Sequence, residues 1–135
     1  MAAELIDGKK VAADIRAKLK TEIEGLKSKG INPGLAVVLV GENPASQKYV
    51  ASKEKACAEI GVASFAHKIP ATTTQADLIK LVDQLNSDPK VNGILVQLPL
   101  PKGLDEKQIM NRISPAKDVD GFGPDALGKL VLDEP

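Results

Sequence analysis

The sequence predicts an α/β domain in three layers, with a mostly parallel sheet flanked by helices. Three observations predict it. The run "LAVVLVG" (35–41) is apolar and β-branched almost throughout, the pattern of a strand buried on both faces. Strand-like and helix-like stretches alternate along the chain, as βαβ units require. At 135 residues, with 43% hydrophobic and 27% charged residues, the chain can build one real core and has the balance of a soluble globular protein.

The elements follow in order. Asp7 can cap a long first helix with Val11, Ile15, Leu19, Ile23 and Leu26 along one face and Gly30 as its stop. "GINPG" is turn chemistry and leads into the strand 35–41. Asn43 followed by Pro44 reads as N-cap and first helical residue, and the helix should run to Ile60 and stop at Gly61. "ASFAHKI" (63–69) reads as a second strand. Thr74 and Asp77 form a capping-box variant, opening a helix that carries Leu78, Leu81, Val82 and Leu85. "VNGILVQLPLP" (91–101) reads as a third strand, broken by prolines that cannot donate to a ladder. A short helix near 105–113 and the loop "SPAKDVDGFGP" complete the pattern.

Composition excludes several functions. Net charge is zero, and two Phe, one Tyr and no Trp leave neither a basic surface nor a stacking platform for nucleic acid. The lone Cys57 precludes an internal disulfide and fits a reducing compartment. The amino-terminal stretch "MAAELIDGKKVAADIRAKL" is charged and amphipathic rather than signal-like, and "LAVVLV" is too short to span a membrane. A cytoplasmic protein without membrane or nucleic-acid partners is expected. Asp118 and Asp120 alone are weak evidence for a metal, and no metal site is expected.

The helix 44–60 carries the chemical signal. At about 100° per residue, Ser46, Tyr49, Val50, Lys53, Ala56, Cys57 and Ile60 share one face. Lys53 thus sits where burial is expected, and burial disfavours a charged lysine unless a partner relieves it. It is either a snorkelling side chain or a desolvated acid–base group. Gln97 closes the apolar run "ILV" at the carboxyl end of its strand, where parallel sheets bind ligands. By itself it reads as a strand-end polar residue. Asp118 and Asp120 in "KDVDG" read as a turn, or as a carboxylate offered to a site.

Tyr49 and Lys53, four apart in "YVASK", also have the spacing of the short-chain dehydrogenase pair. That family places a glycine-rich dinucleotide turn ahead of the pair. Here only 48 residues precede Tyr49, and "VGENPAS" lacks the spaced glycines.

Instead the chain resembles the bifunctional methylenetetrahydrofolate dehydrogenase/methenyltetrahydrofolate cyclohydrolase family. The resemblance rests on "VGENPASQKYVASKEKACAEIGV" (40–62), "NGILVQLPLPKGLD" (92–105) and "SPAKDVDGF" (114–122), with support from "IDGKKVAADI" and "PGLAVVLVG". It implies one-carbon folate metabolism: oxidation of methylenetetrahydrofolate with NADP or NAD, then hydrolysis of the methenyl form to formyltetrahydrofolate. Position by position, Lys53 resembles the family's catalytic lysine and Tyr49 the tyrosine that stacks on the folate. Gln97 resembles the glutamine bonded to that lysine, and Asp120 the aspartate that holds the pterin. Val96 and Leu98 would line the folate site. The sequence departs from the family pattern at Ala126, where an Asn is usual.

The resemblance further implies a folate-binding catalytic domain over residues 1–120, with 121–135 leading toward a dinucleotide-binding domain that the 135 residues lack. On that reading the chain itself binds no NADP, its partners are tetrahydrofolate derivatives, and the longer parent is a homodimer while this piece is a monomer. Two other classes compete: a folate-binding fragment without turnover, and a structural interaction domain.

Overall fold

In the computed structural model, residues 6–134 are described; the first five residues of the amphipathic amino-terminal stretch, and Pro135, lie outside them. Three strands, β1 (Gly34–Val40), β2 (Ala63–Ile69) and β3 (Gly93–Val96), form one sheet in the order β2-β1-β3. Both pairings are parallel, with Val37 opposite Ala66 on one side and Leu95 on the other. Helices α1 (Gly8–Lys27), α2 (Pro44–Ile60), α3 (Gln75–Ser87), α4 (Glu106–Arg112) and α5 (Pro124–Leu132) surround it.

Alternation along the strands separates two apolar layers. Val37, Leu39 and Leu95 face α2 and close over Val50, all buried. Ala36, Val38, Ile94 and Val96 face the opposite way and pack with Leu78 and Val82 of α3 and Ile109 of α4. The sheet is therefore covered on both sides, as expected.

Local chemistry sets the helix ends. Asn43 Oδ1 accepts from the amides of Ala45 and Ser46 at 3.0 and 3.1 Å, and Pro44 begins α2. Gly61 ends it with φ 87°, a conformation that a side chain would strain. Asp7 and Thr74 cap α1 and α3 as the sequence predicts.

Three expectations need correction. The third strand is four residues, not eleven, although Gln97 N still donates to Val38 O at 2.8 Å; beyond it, Pro99 and Pro101 have no amide to continue the ladder. The face of α1 expected to be buried is not. Ile23 alone of that set is buried, while Val11, Ile15, Leu19 and Leu26 are exposed. Helix α1 lies against α2, where Ile23 approaches Gly61 and Arg16 reaches within 4.0 Å of Glu59. Finally, the loop expected over 114–124 is not irregular throughout: Pro115–Lys117 form a 3-10 turn, and α5 starts at its last residue, Pro124, which suits the first helical position.

Candidate active site

Sheet order determines where a site can lie. The chain leaves the central β1 toward β2 on one side and returns in β3 on the other, so the carboxyl ends of β1 and β3 bound a crevice of the kind that binds ligands in open α/β sheets. Helix α2 springs from the end of β1, and Gln97 follows β3 directly. Lys53 and Gln97 meet: Lys53 Nζ donates to Gln97 Oε1 at 3.0 Å. Gln97 Nε2 donates to Leu98 O at 2.9 Å, which fixes the amide and leaves its oxygen to Lys53. Lys53 is half-buried, so a snorkelling side chain and a fully desolvated one are both incomplete descriptions. A neutral amide partner relieves its burial.

Tyr49 was expected within the buried face and is not. Its ring is 63% exposed, with Lys53 Nζ 5.7 Å from the centroid, the range of a cation–π contact. The reason is rotational. Ser46, Val50 and Cys57 form the buried stripe of α2, and Tyr49, about 100° back from Val50, falls at its rim. The result is an aromatic face open to solvent directly beside the amine. Cys57 lies within the stripe, where burial pushes its thiol above the ordinary 9.0 and away from nucleophilic use.

Val96 does not line this crevice through its side chain. It is 1% exposed and belongs to the core beneath α3, because the pleat turns residues 94 and 96 away from the face of 95 and 97. Leu98 also packs toward that core and lines a cavity of about 390 Å³ with Met110, Phe122 and Leu127. A second cleft, about 620 Å³, lies on the other flank of α2 between Gln47, Glu42 and Lys68, and includes none of the predicted site residues. Volume does not mark the site here; the polar convergence on Lys53 does.

The turn "KDVDG" divides its two carboxylates between two tasks. Asp118 accepts from Gly121 N at 3.0 Å through Oδ1 and from Gly123 N at 2.8 Å through Oδ2. Asp120 makes no side-chain hydrogen bond among the described residues. Its carboxyl is pushed above the ordinary 3.8 by burial first; the charge of Lys53 pulls it back and that of Asp118 adds to the rise. The residue as a whole is exposed, and solvent screens these effects. With the folded value raised, the native state holds the proton more tightly than the unfolded chain, so stability falls as pH rises through the window just above 3.8. Asp120→Asn is therefore expected to melt at a higher temperature than the parent at neutral pH, with the difference disappearing below 3.8. Melting curves across that range check it; an advantage that persists in acid would mean that ionisation of Asp120 is not the cause.

Among the described residues no group of three or more His, Cys, Asp or Glu could hold a metal ion, and no helix is long and apolar enough to cross a membrane. Sequence reasoning passed over Lys117, whose Nζ donates to Leu85 O and Asp88 O at 3.1 and 2.9 Å. The signal was faint: one lysine in a turn, with its acceptors 32 and 29 residues away.

A parallel α/β domain that gathers a lysine, an amide and a carboxylate-bearing turn beside its topological switch point belongs to the class of folds that bind small molecules at the carboxyl edge of the sheet. Comparison with known proteins narrows the class. Residues 6–120 match the family described as tetrahydrofolate dehydrogenase/cyclohydrolase, catalytic domain, and the chain belongs to that family.

Individual relatives agree. The chain is 59% identical to the bifunctional protein FolD of Moorella thermoacetica over 98% of its own length and 47% of the relative's. The crystal structure of the bifunctional methylenetetrahydrofolate dehydrogenase/cyclohydrolase FolD from Campylobacter jejuni superposes with a TM-score of 0.97 at 49% identity, covering 98% of this chain and 47% of that one. A Trypanosoma brucei methylenetetrahydrofolate dehydrogenase-cyclohydrolase, solved with NADP cofactor and inhibitor, gives 0.91 at 38% identity, over 96% and 45% of the two chains. The chain thus spans about half the length of the relatives it matches.

Proposed function

We propose that this chain carries the folate site and the catalytic lysine of a methylenetetrahydrofolate dehydrogenase/methenyltetrahydrofolate cyclohydrolase, with residues 1–120 as the folate-binding catalytic domain. The observation that carries the reading is the 3.0 Å bond from Lys53 Nζ to Gln97 Oε1, beside an exposed Tyr49 ring. It supplies a positioned acid–base group next to a stacking surface for a flat, charged substrate.

In the hydrolytic step, water adds to the bridge carbon of the methenyl cation. The C–O bond forms as the C=N π pair moves to nitrogen, and the water proton passes to Lys53 in its amine form. Opening of the adduct breaks one C–N bond, Lys53 returns its proton to the departing nitrogen, and the hydroxyl proton leaves to solvent as the formyl C=O forms. Gln97 Oε1 holds Nζ in place throughout. Tyr49 stacks on the folate, and Asp120, free of other partners, accepts from the pterin's amino and ring N–H donors.

The oxidative step needs a nicotinamide to accept hydride, and the start of α2 offers its pyrophosphate no free pair of amides. The amides of Ala45 and Ser46 that open α2 are already bonded to Asn43, so the turn after β1, although it borders the 620 Å³ cleft, does not offer them to a phosphate. We assign the cofactor no residue here.

The isolated chain is expected to bind tetrahydrofolate and to hydrolyse methenyltetrahydrofolate, measured by calorimetry and by loss of the methenyl absorbance. Binding without hydrolysis would leave a folate-binding fragment; a folded chain that binds no folate would sink the reading in favour of an interaction domain.

A further inference from the structure

The segment carrying Asp120 is anchored on every side, and none of the anchors is Asp120. On its amino-terminal side, a short 3-10 turn (Pro115–Lys117) is tied by Lys117 Nζ to the carbonyls of Leu85 and Asp88 at the end of α3. Those carbonyls also accept from the amides of Asp88 and Val91, at 3.3 and 3.2 Å, and the lysine adds a charged donor at the negative end of α3 while fixing the turn. Next, the backbone of Asp118 pairs with Ile94, extending the β3 edge by a single bridge. Val119 lies against Gly93 so closely that a Cβ there would meet Val119 Cγ1 at 2.5 Å. Finally, the Asp118 carboxylate bonds Gly121 N and Gly123 N, closing a ring of chain around Asp120. Gly121 has φ 68°, and a Cβ on Gly123 would come within 2.9 Å of Asp118 Oδ2, so both glycines serve this ring.

From this arrangement we infer that Asp118 is a positioning residue for Asp120: its carboxylate folds residues 118–123 so that the Asp120 side chain is presented, unpartnered, toward the Lys53 crevice. The inference rests on the folate reading for what Asp120 binds, but the anchoring itself does not. Both oxygens of Asp118 are spent on backbone amides, which leaves the neighbouring carboxylate to face a ligand. Charge-assisted bonds of this kind are the strong ones, and each lost partner frees a backbone amide.

The test has two arms. In the ligand-free chain, Asp118→Ala is expected to speed hydrogen exchange at the Gly121 and Gly123 amides about tenfold or more, a loss on the scale of one to two charge-assisted bonds. Asp118→Asn keeps one acceptor and should fall between. Unchanged exchange at both amides would overturn the anchoring. In the second arm, tetrahydrofolate is titrated into the parent, Asp118→Ala, Asp120→Ala and the double variant. Positioning requires non-additivity: the double variant should bind no more weakly than Asp120→Ala alone. Additive losses would show that Asp118 acts independently of Asp120 and would overturn the positioning role. If the parent chain binds no folate while the amides respond as expected, the anchoring stands and the folate reading fails.

Discussion

Replacing Lys53 by methionine is expected to leave the fold intact and to cut methenyltetrahydrofolate hydrolysis by about 10²–10⁴-fold, the usual worth of a positioned acid–base group. Methionine keeps an unbranched apolar stem of similar reach, so the packing along the α2 stripe survives. What disappears is the nitrogen that takes the water proton and hands one on. The structural cost is confined to Gln97 Oε1, which loses its 3.0 Å donor at a half-buried position, worth about 1 kcal/mol. Folate affinity should change far less than rate, because Tyr49 and Asp120 remain. Circular dichroism and a melting curve check the fold, calorimetry the affinity, and methenyl absorbance the rate. Hydrolysis within a few-fold of the parent would remove Lys53 from the mechanism.

Lys53 is legible in the sequence through two local signals and one general rule. Asn43-Pro44 and Gly61 mark the ends of α2, so the helical phase of every residue between them is set. The rule that ligands bind at the carboxyl edge of parallel strands then brings Gln97 to the same place. The differences have equally specific causes. Val96 and Leu98 adjoin Gln97 in sequence, but the pleat sends the Val96 side chain into the opposite core. Tyr49 was placed inside because a wheel gives direction without saying how wide the covered sector is. The apolar face of α1 shows the same limit: period 3.6 identifies a stripe but not whether anything within the 6–134 region covers it. Asp118 and Asp120 are two apart in an Asp-Gly turn, and composition could not say which oxygens the backbone would claim. Hydrogen bonds decide that.

The second large effect is expected at Gln97. As glutamine, it gives Lys53 Nζ a neutral acceptor whose orientation is held by the bond from Nε2 to Leu98 O. Gln97→Glu preserves size and strand geometry and places a negative charge about where Oε1 now sits. A carboxylate at that distance favours the ammonium over the amine, and the step that takes a proton from water requires the amine. Hydrolysis in the variant should therefore fall by about tenfold or more near neutral pH, since each tenfold is only 1.36 kcal/mol of barrier. It should recover as pH rises, so that the ascending limb of the pH–rate profile moves alkaline. The sign distinguishes this from simple damage: a displaced lysine lowers the rate at every pH alike, whereas a lysine held protonated regains activity in base. Folate affinity should change little, because Gln97 touches Lys53 and its own neighbour's carbonyl rather than the proposed stacking face of Tyr49. Removal rather than charging of the acceptor, in Gln97→Met, takes away a bond to the ammonium, so any shift of the limb should be toward acid, opposite to that of Gln97→Glu. If Gln97→Glu keeps both the rate and the profile of the parent, the 3.0 Å contact has no part in catalysis and Gln97 returns to being a polar residue at the end of a strand.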